Sequence, residues 1–574
     1  MPLIDLLTPD GEELLNDPQQ IPWQAYPRPQ MKRDSYINLN GWWDFCACKD
    51  AALPVSYDRR IRVPFAPESQ LSGVKEHFPE GSYLFYRRSI VLPEGFVRSR
   101  VLLHIGAADQ ITDVFVNGVH CGMHVGGYEA MSFDITDSLG EKNELVIRVQ
   151  DDLRTKVLPY GKQVMNRGGM WYTPVSGIWQ TVWLESVPEH YIKRLDIQTG
   201  ESWVKIDVCD PAISGTVAVQ TPAGEINAEL IKGIAQIGLA DARVWSPEDP
   251  YLYHFAIVAG EDKVGSYFAL RTLAVKEVNG IPRLCLNGKP YFFHGLLDQG
   301  YWSDGLFLPA QPEGFAQDIL AMKDLGFCML RKHIKVEPEQ FYYDCDRLGM
   351  VVFQDMVNNG PYSFIRDTAL PTVGMQVLPD GAMNRDADTR NAFLQGMEET
   401  VNQLKNHPCI CYWTIFNEGW GQFKAEEAYH RLRKLDDTRF IDSTSGWFRW
   451  GKTDVDSRHV YFRKYRFQKS DKPVVLSEFG GLSCKAQDHV FNPEKTYGYG
   501  SCASVEEFAK ALEELYIEQI VPAAKQGLCA AVYTQVSDVE DEINGLLTYD
   551  RRVQKADPEK MRSVARALAD AVTK

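Results

Sequence analysis

At 574 residues the chain exceeds what one hydrophobic core organises, and about three domains is the expectation. Its composition, 44% hydrophobic and 24% charged, is that of a soluble globular protein and excludes disordered, collagen-like and low-complexity classes. A formal net charge of −16 repels polyanions, which excludes nucleic acid and anionic membrane surfaces as partners while leaving a small acidic ligand open.

The opening run MPLIDLLTPDGEELL has no basic region ahead of its apolar residues and is not read as a signal peptide. No later stretch approaches about 18 uninterrupted apolar residues, so no transmembrane helix is expected. The 12 cysteines are scattered, and Cys46/Cys48 and Cys409/Cys411 lack the two-residue spacing of redox or metal pairs. Reduced core thiols in a cytoplasmic protein are the reading.

Up to about residue 275, short β-rich runs follow one another at intervals of roughly ten residues, as in a β-sandwich. They include SYLFYRRSIVL (82–92), RVLLHIGAA (100–108), ITDVFVNGVHCG (111–122) and NELVIRVQDD (143–152). Asn117-Gly118 reads as a two-residue hairpin turn, since both residues tolerate positive φ. The first domain is placed at 1–187. A second β unit begins near Pro188, and 188–277 has the length of an immunoglobulin-like sandwich.

From 278 to 574 the rhythm becomes strand followed by helix. The strand patterns are YFFHGLL, FCMLRKH, MVVFQDM, ICYWTIFNE, RFIDSTSG, HVYF, PVVLSEFG and LCAAVYTQ. Helical patterns such as PEGFAQDILAMKDLG, NAFLQGMEETVNQLKNH and the closing KMRSVARALADAVTK intervene or follow. Eight such units predict a (β/α)8 barrel, with the connections after the fifth and sixth strands too short for full helices. Barrel active sites sit at the C-terminal strand ends. The polar residues there are Asp298, Arg331, His333, Asp355, Asn417, Glu418, Tyr461, Glu478, Tyr533 and Gln535.

Two of these are carboxylates directly ending apolar strands, Glu418 after ICYWTIFN and Glu478 after VVLS. Acetal hydrolysis needs one group to protonate the leaving oxygen and another to capture the developing oxocarbenium ion, and two carboxylates in unlike surroundings provide both. No cofactor is called for.

Phe416-Asn417-Glu418 and Ser477-Glu478-Phe479-Gly480 resemble the acid/base and nucleophile motifs of glycoside hydrolase family 2. The resemblance extends along nearly the whole chain, through Leu39-Asn40-Gly41-Trp42, the run DVFVNGV (113–119), Ser176-Gly177-Ile178-Trp179, Trp245-Ser246-Pro247 and Pro250-Tyr251-Leu252-Tyr253. It implies a jelly-roll domain, an immunoglobulin-like domain and a catalytic barrel, and hydrolysis of a terminal β-linked sugar with retention. It further implies that Glu418 is the acid/base and Glu478 the nucleophile, that Asn417 touches the sugar 2-hydroxyl, that Tyr461 supports the nucleophile, and that Arg331 and His333 line the pocket.

The sequence departs from the better-known members of that family. Gly295-Leu-Leu-Asp-Gln-Gly-Tyr-Trp (295–302) stands where they carry a Gly-x-Asn-x-His-Glu-like run, leaving Asp298 or Gln299 for that sugar contact. Gly169 replaces an Asp frequent in galactosidases and glucuronidases, and Glu542-Ile543-Asn544-Gly545 lacks the Asn-x-Lys pair with which glucuronidases grip a carboxylate. Yet Arg331, Lys332 and Lys335 cluster after the second strand, with Arg449, Lys452, Arg463, Lys464 and Arg466 in later loops, a supply of cations that a uronide would use. Trp447 and Trp450 are stacking candidates, and Tyr533 stands where many members have Trp. The run Asp538–Glu542 (DVEDE) reads as a solvated loop and no metal is assigned. A β-galactoside or β-uronide is the expected substrate. A β-mannoside or β-glucoside, and a non-catalytic carbohydrate-binding role, stay as alternatives, and a homo-oligomer is compatible with the chain.

Overall fold

The computed structural model describes residues 3–372, 374–375 and 379–573. Met1, Pro2 and Lys574, at the tips of the first and last sequence patterns, lie outside them.

The N-terminal residues build a two-sheet sandwich. One antiparallel sheet runs in the order Arg59–Val63, Gly41–Cys48, Tyr83–Ile90, Asn143–Gln150, Ile111–Val116, Val119–Val125, and the other in the order Tyr36–Asn38, Val182–Val187, Arg100–Ile105, Met131–Asp134. Strand alternation fills the space between them: Val114, Val116, Ile147, Leu103 and Ile105 are fully buried in one cluster with Trp43 and Phe45. Asn117 (φ 52°) and Gly118 (φ 79°) form the hairpin turn expected from sequence.

A second sandwich pairs a sheet of Asp196–Thr199, Trp203–Asp207 and Ile234–Gly238 with a sheet of Gly224–Leu230, Gly215–Thr221, Tyr253–Ala259 and Asp262–Phe268. Val204, Ile206, Val217, Ile257 and Val264 form its core. The two sandwiches are tied by one buried cation. Arg33 donates to Asp262 from Nε (2.9 Å) and Nη2 (2.9 Å) and to Glu185 from Nη1 (3.1 Å), all three side chains being at most 2% exposed.

The C-terminal half is the expected barrel. Its strands are β1 (Phe293–Asp298), β2 (Met329–Lys332), β3 (Val351–Asp355), β4 (Ile410–Asn417), β5 (Phe440–Ser445), β6 (Asp456–Val460), β7 (Val474–Gly480) and β8 (Leu528–Thr534). They pair in parallel in the order β5-β4-β3-β2-β1-β8-β7-β6. Among the described residues no backbone ladder joins β5 to β6. Side chains bridge that seam, with Ser445 Oγ 3.2 Å from Ser457 Oγ and 3.0 Å from His459 Nε2. Segments 446–455 and 461–473 carry no helix, as their lengths suggested.

β6 lies earlier than the pattern HVYF and ends before Tyr461. Ser457 and His459 are polar residues facing inward, so an apolar pattern could not reveal the strand. A hairpin of Ile281–Leu286 and Lys289–Pro290 docks at the opposite end of the barrel, where Arg283 donates to the carbonyl oxygen of Leu528 (3.1 Å). The C-terminal strand ends are thereby left as the mouth.

Removing one partner of a buried ion cluster strands the others in low dielectric. Arg33→Met is expected to destabilise the sandwich pair by about 3–5 kcal/mol in urea unfolding, and a loss below about 1 kcal/mol would show that Glu185 and Asp262 do not need the guanidinium.

Candidate active site

All eight residues of β4 are buried, which carries Asn417 to the mouth. The next residue, Glu418, turns the chain with φ 54°, a left-handed conformation that a non-glycine residue adopts at a cost. Its N–H donates to the carbonyl of Ser445 (2.9 Å), which holds the turn in place. Gly419 (φ 77°) follows, and a Cβ there would stand 2.3 Å from the Phe448 ring, so the turn packs directly beneath the loop after β5.

Glu478 comes from β7 and is 5% exposed. Its Oε1 accepts from Arg331 Nη1 (3.0 Å) and its Oε2 from the Tyr461 hydroxyl (2.5 Å). Burial pushes its pKa up, but the His459 ring beside Oε2, the Arg331 guanidinium and the Tyr461 hydrogen bond outweigh burial and hold the carboxyl well below its ordinary range. Tyr461 is raised, first by burial and then by Glu478, so it stays a neutral donor.

Arg331 organises this arrangement. Nε and Nη2 clasp Asp355 (3.0 Å each), Nη2 also reaches Asn417 Oδ1 (2.9 Å), and Nη1 reaches the Ser477 carbonyl (3.0 Å) and Glu478. Binding Asn417 through Oδ1 fixes the amide and leaves Nδ2 to donate. His333 Nδ1 is 2.7 Å from Asp355 Oδ2, and its pKa is lowered, chiefly by burial. It is therefore a neutral imidazole protonated on Nδ1, with Nε2 as an acceptor.

One residue that the sequence reading passed over stands between the two glutamates. His459 Nδ1 lies 2.7 Å from Glu418 Oε1 and 3.4 Å from Glu478 Oε2. The signal was its two-residue spacing from Tyr461, which puts both side chains on one side. Glu418, His459 and Glu478 each offer an atom within 4.8 Å of the other two, the one group among the described residues with metal-ligand spacing. Trp447 is half-buried, with its ring 5.6 Å from that of His459, so this aromatic does reach the site.

Other expectations are corrected. Lys335 is buried, and its ammonium donates to the carbonyls of Gly300 (2.6 Å) and Phe307 (2.7 Å) and to Glu337 (2.8 Å), leaving nothing for a sugar. Burial lowers its pKa to about 8. Asp298 is paired with Lys332 (2.6 Å), which also binds Glu337 (2.9 Å). These four charges neutralise one another, so Asp298 is an ion-pair partner rather than a free sugar contact. Gln299 donates to Gln535 (2.8 Å).

Tyr533 faces away from the mouth. It is fully buried against Phe479 and Tyr516, while its neighbour Thr534 faces inward, 2.9 Å from the Tyr461 hydroxyl. Strand alternation decides between them. The DVEDE run is not solvated either. Asp538, Glu540, Asp541 and Glu542 are each 2% exposed, held by Lys555, Arg167 and Tyr172. Arg449 pairs with Asp456 (3.0 Å) and Lys464 with Glu518 (3.0 Å), so these loop cations are engaged in exposed or partly exposed pairs.

Residues 277–566 match the model of the glycosyl hydrolases family 2 TIM barrel domain. The chain belongs to glycosyl hydrolase family 2. A β-glucuronidase of Bacteroides fragilis is 24% identical over 515 residues, covering 82% of this chain and 69% of that protein. Among solved structures, an uncultured Clostridium β-glucuronidase superposes with TM-score 0.72 at 20% identity, covering 94% of this chain and 99% of that one. The Eisenbergiella tayi family 2 β-galacturonidase bound to galacturonate gives TM-score 0.66 at 17% identity, covering 94% and 99%. The chain is a glycoside hydrolase, and among its described residues no helix is long and apolar enough to cross a membrane.

Because the Glu478 pKa is depressed, this group keeps its charge as pH falls through the ordinary carboxylate range and is protonated only below it. Arg331→Gln removes the adjacent cation, and the pH at which Glu478 takes up its proton is expected to rise by about one to three pH units. Difference infrared spectroscopy of the protonated carboxyl band reads this, and an unmoved transition would refute the role given to Arg331.

Proposed function

We propose that the chain is a retaining exo-β-glycosidase in which Glu478 is the nucleophile and Glu418 the acid/base. The observation that carries this reading is the carboxylate pair at the barrel mouth. One oxygen of each lies within 4.8 Å of the other, which suits the roughly 5–5.5 Å separation of retaining enzymes and leaves no room for the water that separates carboxyls about 6.5–9.5 Å apart in inverting ones.

The roles follow from unlike surroundings. Glu478, ionised beside Arg331 and oriented by Tyr461, attacks the anomeric carbon while Glu418 gives its proton to the departing oxygen. The product is a glycosyl ester of Glu478 and a free alcohol. Glu418, now a carboxylate, takes a proton from a water molecule whose oxygen attacks the same carbon and releases Glu478. Asn417 Nδ2 donates to the 2-hydroxyl, His333 Nε2 accepts from a second hydroxyl, and Trp447 lends an apolar face.

The substrate is a terminal β-galactoside or β-uronide. The Bacteroides, Clostridium and Eisenbergiella relatives act on β-glucuronides or β-galacturonides, which supports the uronide. The same reading divides the chain at 187/188 and 277/278, with a jelly-roll sandwich, an immunoglobulin-like sandwich and the catalytic barrel; the first cut lies between the sheets of the two sandwiches, and the second lies within the strand Leu273–Val278, which pairs with Ile281–Leu286. It assigns the protein to the cytoplasm on its twelve free cysteines.

Proton NMR of the first-formed sugar tests the stereochemistry. The β anomer is expected, and an initial α anomer would remove the retaining mechanism. Glu478→Gln is expected to cut turnover by about a thousandfold or more with an unchanged circular dichroism spectrum, whereas full turnover would mean that another group is the nucleophile.

A further inference from the structure

Each cation that the sequence places next to the site on β2 and its following turn is occupied. Arg331 serves Asp355, Glu478 and Asn417, and Lys332 and Lys335 serve Asp298 and Glu337. A different lysine is brought to the mouth from the N-terminal sandwich. The loop 151–176 crosses the barrel end, where the N–H groups of Tyr160 and Gly161 donate to the Asn358 carbonyl (3.1 and 3.2 Å) just beyond β3. Gly161 (φ 63°) lies so close to the backbone after His333 that a Cβ would stand 2.9 Å from the Ile334 carbonyl oxygen. The next residue is Lys162.

Lys162 is half-buried, and its ammonium lies 5.3 Å from the centroid of Trp171, which stands 5.1 Å from Trp420, two residues past Glu418. Among the described residues its Nζ has no hydrogen bond and no carboxylate within 4.0 Å. Its charge reaches His333 and Glu542. Glu542 does not answer it, since both of its oxygens already accept, from Tyr172 and from Asn544 (2.9 Å), and burial pushes its pKa up. A cation withdrawn from water against an indole face gains from the ring, but an anion within reach gains it more.

We propose that Lys162, carried over the barrel mouth by the sandwich loop, is the counter-ion for a carboxylate on the sugar bound at Glu418 and Glu478. The inference rests on the glycosidase reading above and deepens it to β-uronides. The carboxylate would be held by a point charge from a neighbouring domain, in a chain whose own stretch after β8, Glu542-Ile543-Asn544-Gly545, offers a carboxylate instead of a cation. Recognition then depends on the docking of the sandwich loop as much as on the barrel.

The test compares p-nitrophenyl β-glucuronide, β-galacturonide and β-galactoside with wild type, Lys162→Met and Lys162→Arg. In Lys162→Met the ratio of uronide to galactoside kcat/KM is expected to fall about tenfold or more, carried by KM, as loss of one charge-assisted hydrogen bond implies. Lys162→Arg is expected to recover most of the ratio. A ratio unchanged by Lys162→Met, or a wild type that cleaves only the galactoside, overturns this inference and leaves the glycosidase reading standing. A wild type inert on all three overturns that reading and this inference with it. Titration of Glu478→Gln with free galacturonate against galactose, with and without Lys162→Met, reads the same preference without turnover. Equal affinity for the two sugars would likewise overturn it.

Discussion

Burying a guanidinium costs several kcal/mol unless every N–H and the charge itself are met. At 1% exposure Arg331 meets that condition through five donors, two to Asp355, one to Glu478, one to Asn417 and one to the Ser477 carbonyl. β2, β3, β4 and β7 are thereby fixed relative to one another at the level where the candidate chemistry sits. The planar fork is essential to this geometry, since an ammonium has three donors and no plane. The consequence for Glu478 is direct. The cation that anchors the strands also helps to keep this carboxylate ionised despite its burial.

The barrel does not complete its own mouth. Gly161 rests on the backbone after β2, Tyr172 donates to Glu542, and Arg167 reaches Asp541, so the N-terminal sandwich supplies part of the wall around the glutamates. The acidic run 538–542 is buried because that sandwich and Lys555 cover and neutralise it. The three units are thus linked by the same physics at two levels. Arg33 ties sandwich to sandwich with a satisfied buried charge, and Arg167 ties sandwich to barrel.

How much of this was legible in sequence depended on whether a feature was local. Glu418 and Glu478 could be found because each ends an apolar run that has to enter the barrel wall. The hairpin at Asn117-Gly118 was legible because two adjacent residues dictate the turn. β6 was misplaced because Ser457 and His459 are polar residues facing into the barrel, and His459 was missed with it. The reading of Tyr533 failed by one step of alternation, which no single-strand pattern fixes without knowing which neighbour faces inward. The lysines after β2 were visible as charges, but their partners, Glu337 and the carbonyls of Gly300 and Phe307, are set by folding of the loops and not by spacing. Lys162, some 170 residues before β2 in the chain, carried no signal at all.

The two glutamates are near-identical in chemistry and close in space, so the division of roles proposed for them has to come from what surrounds them. Glu478 has a cation, a phenol and almost no solvent. Glu418 retains 15% side-chain exposure, and among the described residues it has no Lys or Arg within bonding reach and hydrogen-bonds through its side chain to His459 alone. His459 Nε2 is flanked by the hydroxyl of Ser445 and the Arg331 guanidinium, and a guanidinium can only donate, so the bare nitrogen is on that side and the proton is on Nδ1, toward Glu418 and Glu478. An N–H in that position is within reach of either carboxylate. In the mechanism proposed above, the donor is free for Glu418, as that residue becomes a carboxylate, once Glu478 is consumed as an ester. On the proposed mechanism, the asymmetry between the glutamates comes from the cation and phenol that only Glu478 has, while the charge alternates between two carboxylates that share one N–H donor.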